Sequence, residues 1–96
     1  MKKVYKYPLI IEDYQKVKMP LGAKILTVAL QEEIPCIWAL VDSDQKEVER
    51  IIRIAGTGHP MNDYAVYIGT FLMLKDRLVF HVFEVVPLIE IDNSRI

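Results

Sequence analysis

From residue 4 to residue 85 apolar and polar side chains recur with period two, and no stretch keeps the 3.6-residue stripe of an amphipathic helix. The runs are short, and turn residues cut them roughly every eight to twelve positions. This pattern predicts an antiparallel all-β domain, a small sandwich or barrel-like unit of about seven strands. Residues 4–11 read as the first strand, with Pro8 marking an edge because proline cannot donate to a ladder. Residues 15–19 alternate, and Pro20 and Gly22 in "MPLGAK" suit a tight turn in which glycine takes positive φ. Residues 23–30 follow as a strand and "QEEIP" as the next turn.

Residues 36–41 are apolar on both parities, as expected of a central strand covered on both sides. "VERIIRIA" reads as a strand from its β-branched residues, although residues 47–50 also fit a first helical turn. "YAVYIGTFLML" and "RLVFHVFEVV" flank the polar "KDR" and form the strongest hairpin signal, expected at the centre of the fold. No linker or repeat divides the chain, so residues 1–90 form one domain and 91–96 a flexible tail.

Composition narrows the function. A chain of 96 residues supports one core, and 52% hydrophobic residues are ample to fill it. Twelve basic residues against thirteen acidic ones leave a net charge of -1, which gives no footprint for duplex nucleic acid or an anionic membrane. The opening "MKKVYKYPLIIEDY" lacks the unbroken apolar core of a signal peptide, and no run reaches spanning length, so a cytoplasmic location is expected. Cys36 has no partner for an internal disulfide and reads as a buried thiol. So apolar a chain with so little interior is expected to form a homo-oligomer.

The loop in "RIIRIAGTGHPMNDY" carries the candidate site. It lacks the third glycine and the helix of a dinucleotide fingerprint, and it has no Walker lysine. Two readings stay open. Backbone N–H groups at Gly56, Thr57 and Gly58 form a nest for an anion, with the Thr57 hydroxyl and the His59 ring as further donors, or the segment is a glycine-rich turn stopped by Pro60. Strand alternation sends Arg50 and Arg53 to opposite faces, one of them toward solvent. Arg53, nearer the loop, suits either a ligand phosphate or an ion pair with a glutamate. Trp38, Tyr64 and Tyr67 offer stacking surfaces for a base, although a tryptophan in an apolar strand such as that of Trp38 is more often core.

Other chemistry has little support. His59 and His81 have no cysteine at ligand spacing, so no metal and no cofactor is expected. His81 shares the parity of Val79 and Phe83 and reads as a structural strand histidine. Ser43 and Ser94 lack a nucleophile elbow, and the carboxylates sit beside turns, where water solvates them. A non-enzymatic protein is expected.

The segments "MPLGAKILTVALQEEIPCIWALVD", "RIAGTGHP", "YIGTF" and "LVFHVFE" resemble a family of small uncharacterised bacteriophage and prophage proteins, in order and spacing over roughly residues 2–84. The resemblance implies an accessory protein made in the cytoplasm of the infected bacterial host, without an activity attached. Ala55 stands where the family pattern has an aromatic residue, Leu72 where it has a polar one, and "VVPLIEIDNSRI" runs past its usual end. Phage context and anion loop together suggest a protein that sequesters a nucleotide-type host defence messenger, such as a cyclic oligonucleotide or an ADP-ribose derivative. The alternative is an oligomeric structural protein that binds a host or virion protein through an exposed edge or apolar patch.

Overall fold

The computed structural model describes residues 1–86. Seven strands make up the fold: β1 (Lys2–Pro8), β2 (Tyr14–Pro20), β3 (Lys24–Gln31), β4 (Ile34–Asp42), β5 (Glu47–Gly56), β6 (Ala65–Met73) and β7 (Leu78–Val85). No helix occurs among the described residues, so none is long and apolar enough to cross a membrane. All pairings are antiparallel, in a three-stranded sheet of order β1-β4-β3 and a four-stranded sheet of order β2-β5-β7-β6. The all-β expectation holds, and residues 47–50 lie in strand rather than a helical turn. The hairpin of β6 and β7 is off-centre, since β7 is interior and β6 is an edge. The expected tail, residues 91–96, lies outside the described residues.

The two sheets bury facing stripes. Ile37, Ala39 and Val41 of β4 and Val28 of β3 meet Met19, Ile52, Ile54, Phe71 and Val82 of the other sheet. On β4 the opposite parity holds Cys36, which is buried as expected, and the half-buried Trp38 and Leu40, so this central strand is only partly covered outside. Lysines and prolines mark two of the edges: Lys2, Lys3, Lys6 and Pro8 on β1, and Lys16, Lys18 and Pro20 on β2. Charge and missing donors at an edge discourage pairing with another chain.

Arg50 points inward, where its Nη2–H donates to Glu84 Oε1 at 2.9 Å and its Nε–H pairs with Oε2. Nη1–H also reaches the carbonyl of Ala23 at 2.9 Å, tying the β2–β3 connection to β5 and β7. The hydrogen bond to the Glu84 carboxylate raises the guanidinium's already high pKa, so Arg50 stays charged inside the sandwich.

Bulges at Ile25/Thr27 in β3 and Tyr67/Gly69 in β6 bend the two strands where the sheet edges approach. At Gly69 an added Cβ would lie 2.7 Å from Val28 Cγ1, so glycine is what lets β6 close on β3. Gly69→Ala should therefore destabilise the domain by about 1–3 kcal/mol, the cost of overpacking a well-filled core. Denaturant unfolding with an unchanged midpoint would show that the approach is not tight.

Candidate functional site

Strands β5 and β6 both pair antiparallel with β7, so they run parallel to each other on its two sides. The chain leaves β5 at Gly56, opposite Phe80, and enters β6 at Ala65, opposite Val85. It must return about 17 Å along the sheet at ~3.4 Å per residue. Residues 57–64 make that return over the outer face, without the helix that usually covers such a crossover. This is why Arg53 and Ala55, on the outer face of β5, are buried at 6% and 2% exposure.

Arg53 anchors the crossover. Its Nη2–H donates to the Pro60 carbonyl at 2.7 Å, Nη1 lies 3.3 Å from the exposed Asp13 carboxylate, and the guanidinium sits 5.0 Å from the centre of the Tyr14 ring. Asn62 Nδ2–H donates to the Tyr14 hydroxyl at 3.0 Å, adding a second tie to β2. Neither arginine of β5 faces solvent, contrary to expectation: Arg50 is held inside by Glu84 and Arg53 is roofed by the crossover. The carboxylate paired with Arg53 is an aspartate from the β1–β2 turn, not a glutamate.

The GTGHP segment opens as a tight turn. His59 N–H bonds the Gly56 carbonyl at 3.1 Å, and Gly58 takes φ +92°, the third-position conformation that a type II turn reserves for glycine. The Gly56 N–H donates to His59 Nδ1 at 3.2 Å, so it is engaged within the loop and adds nothing to a nest. The same bond places the ring hydrogen of His59 on Nε2. A Cβ at Gly56 would lie 3.0 Å from His59 Cε1, so the ring packs directly on the glycine.

Beside this turn lies a cleft of about 360 Å³ lined by Gly56, Thr57, His59, Arg77, Leu78, Val79 and Phe80. Its size is at the lower end for small-molecule sites. Arg77 comes from the hairpin tip, where Leu74, Lys75 and Asp76 all take φ between +53° and +68°. Left-handed backbone at three successive non-glycine residues stores strain. The guanidinium of Arg77 makes no ion pair with a carboxylate among the described residues. A cation, a hydroxyl and an imidazole N–H thus border the cleft, and Leu78, Val79 and Phe80 supply its apolar wall.

Of the residues expected at the site, Gly56, Thr57 and His59 come together in the cleft, and Gly58 shapes the turn beside them. Arg53 lies under the crossover and outside the lining. Tyr67 is also outside it, with its ring against Phe83 at 5.4 Å and its hydroxyl 2.7 Å from Thr70 Oγ1. Tyr64 and Trp38 do not line the cleft either. Arg77 was missed, because its nearness to Gly56 depends on the β5–β7 register, which pairs Gly56 with Phe80. Among the described residues, no three His, Cys, Asp or Glu side chains are placed to hold a metal.

If Arg53 holds the crossover, Arg53→Ala should cost about 1.5–3 kcal/mol, mostly from the charge-assisted bond to Pro60, since the exposed Asp13 pair contributes little. Amide exchange across residues 57–64 should quicken more than the global unfolding change explains. Unchanged protection there would show that the loop is held by other contacts.

No curated protein and no solved structure matches the chain. A family model does, over residues 1–91. The chain therefore belongs to the family described as a domain of unknown function, DUF7352.

Proposed function

We propose that this protein is a non-enzymatic binding module that holds a small anionic, nucleotide-type ligand in the cleft between the GTGHP turn and the hairpin tip. One observation carries the reading: the Arg77 guanidinium, without a carboxylate partner among the described residues, faces a cleft that Thr57 and His59 also line. A guanidinium and a hydroxyl recognise phosphate oxygens by charge-assisted bonds, and Phe80 in the wall gives a base an apolar surface. The resemblance of its sequence segments to bacteriophage and prophage proteins suggests the biological setting. In it, the protein sequesters a host antiviral messenger, such as a cyclic oligonucleotide or an ADP-ribose derivative, in the cytoplasm of the infected bacterium. Arg77 takes the phosphate-binding role that sequence alone suggests for Arg53.

A second reading has its own observation. The outer face of the three-stranded sheet leaves Val4 and Leu26 exposed beside the half-buried Trp38 and Leu40. An apolar sheet face of this kind suits an oligomeric protein that binds a host or virion protein.

Thermal shift and calorimetry against inorganic phosphate, cyclic dinucleotides, cyclic trinucleotides and ADP-ribose separate the two. A nucleotide-type ligand should stabilise the wild type, and Arg77→Ala should weaken binding roughly ten- to a hundred-fold, from ~1.5–3 kcal/mol at ~1.4 kcal/mol per decade. The variant's own melting temperature should not fall, because Arg77 is exposed and unpaired among the described residues. If no member of the panel stabilises the wild type, the interaction reading replaces sequestration.

A further inference from the structure

The Thr57 hydroxyl at the cleft is one end of a hydrogen-bonded chain across the outer face of the four-stranded sheet. Tyr67 Oη lies 2.7 Å from Thr70 Oγ1, Thr70 Oγ1 lies 3.0 Å from His81 Nδ1, and His81 Nε2 lies 2.8 Å from Thr57 Oγ1. Strand register builds it: Thr70 of β6 and Ala55 of β5 flank His81 of β7, and the chain turns over the face two residues after Ala55. The small Ala55 leaves the imidazole room to reach Thr57.

Each link could run either way, but the directions are coupled, because a neutral imidazole carries one ring hydrogen. In one arrangement Tyr67 donates to Thr70, Thr70 donates to Nδ1, and Nε2–H donates to Thr57. The hydrogen of Thr57 is then left for the cleft. In the other arrangement every link reverses, and Thr57 uses its hydrogen on His81. A phenol is a stronger donor and a poorer acceptor than an aliphatic hydroxyl, which favours the first arrangement; were Thr70 to accept from both Tyr67 and His81 Nδ1–H, its own hydrogen would have no acceptor among the described residues.

We infer that Tyr67, acting through Thr70 and His81, positions the Thr57 hydroxyl as a hydrogen-bond donor into the cleft. That corner of the site then favours ligand atoms that accept, such as the oxygens of phosphate or carboxylate, over groups that only donate, such as an ammonium. The selectivity rests on the cleft being a ligand site, whereas the direction of the chain is a property of the unliganded protein. Tyr67 and His81 are positioning residues, and neither lines the cleft.

Nitrogen-15 correlation spectra of the histidine rings, recorded near pH ~8 where an ordinary imidazole is neutral, read the direction without any ligand. His59 is an internal reference, because its Nδ1 accepts from Gly56 N–H. Unliganded His81 should show the same tautomer, with hydrogen on Nε2. Tyr67→Phe should mix or reverse it and weaken inorganic phosphate binding roughly three- to ten-fold, the worth of one neutral hydrogen bond. Its melting temperature should be nearly unchanged, because Tyr67 is 58% exposed. Hydrogen on Nδ1 of wild-type His81 would overturn the inference, as would a Tyr67→Phe variant that keeps both the tautomer and the phosphate affinity. If the tautomer responds as stated but wild type binds no phosphate, the chain direction stands and the cleft reading falls.

Discussion

The feature on which the candidate site depends is the crossover of residues 57–64. Two parallel strands on either side of a third need a connection that travels the length of the sheet, and here it is an irregular segment instead of a helix. An irregular segment lying on a sheet exposes many backbone polar groups and makes few of its own bonds. It therefore has to be held by side chains. Arg53 does so through the Pro60 carbonyl, Asn62 through the Tyr14 hydroxyl, and Thr57 through His81. At the far end Val86 N–H bonds the Tyr64 carbonyl at 3.0 Å. The cleft exists because the first turn of this segment is set beside the hairpin tip.

The two arginines of β5 do related work on opposite faces. Inside, Arg50 gains two bonds from Glu84 and one from Ala23, which compensates for taking both charges out of water. Outside, Arg53 is covered more completely and satisfied less well, since its Nε is buried without a hydrogen-bond partner among the described residues. Stacking on Tyr14 offsets part of that cost. The inner pair belongs to the sandwich, whereas the outer arginine belongs to the loop and through it to the cleft.

Period two and the turn residues made the strands legible, and Pro8 correctly marked β1 as an edge. Strand ends differ by one to three residues, as at β1, which stops at Pro8 where the apolar run continues to Ile11. That run continues because Leu9 tucks into the core from the turn, its N–H bonded to Pro35 O at 2.8 Å. Alternation also separated Arg50 from Arg53, but it could not say what covers the outer face of β5. That depends on strand order, and strand order is a non-local pairing that leaves no trace in local pattern. The same limit hid Arg77, whose "KDR" context reads only as a polar hairpin tip. Likewise the place of His81 in a strand was legible, while its two threonine partners come from a neighbouring strand and from the crossover.

The proposed function requires a phosphate-bearing ligand to meet this chain where the GTGHP turn and the β6–β7 tip converge. Amide chemical-shift mapping during titration with a cyclic dinucleotide tests it residue by residue. Saturable shifts should centre on Thr57, Gly58 and residues 77–80, with the three-stranded sheet unmoved. Saturable shifts centred on the Trp38 face, or none at millimolar ligand, would contradict it.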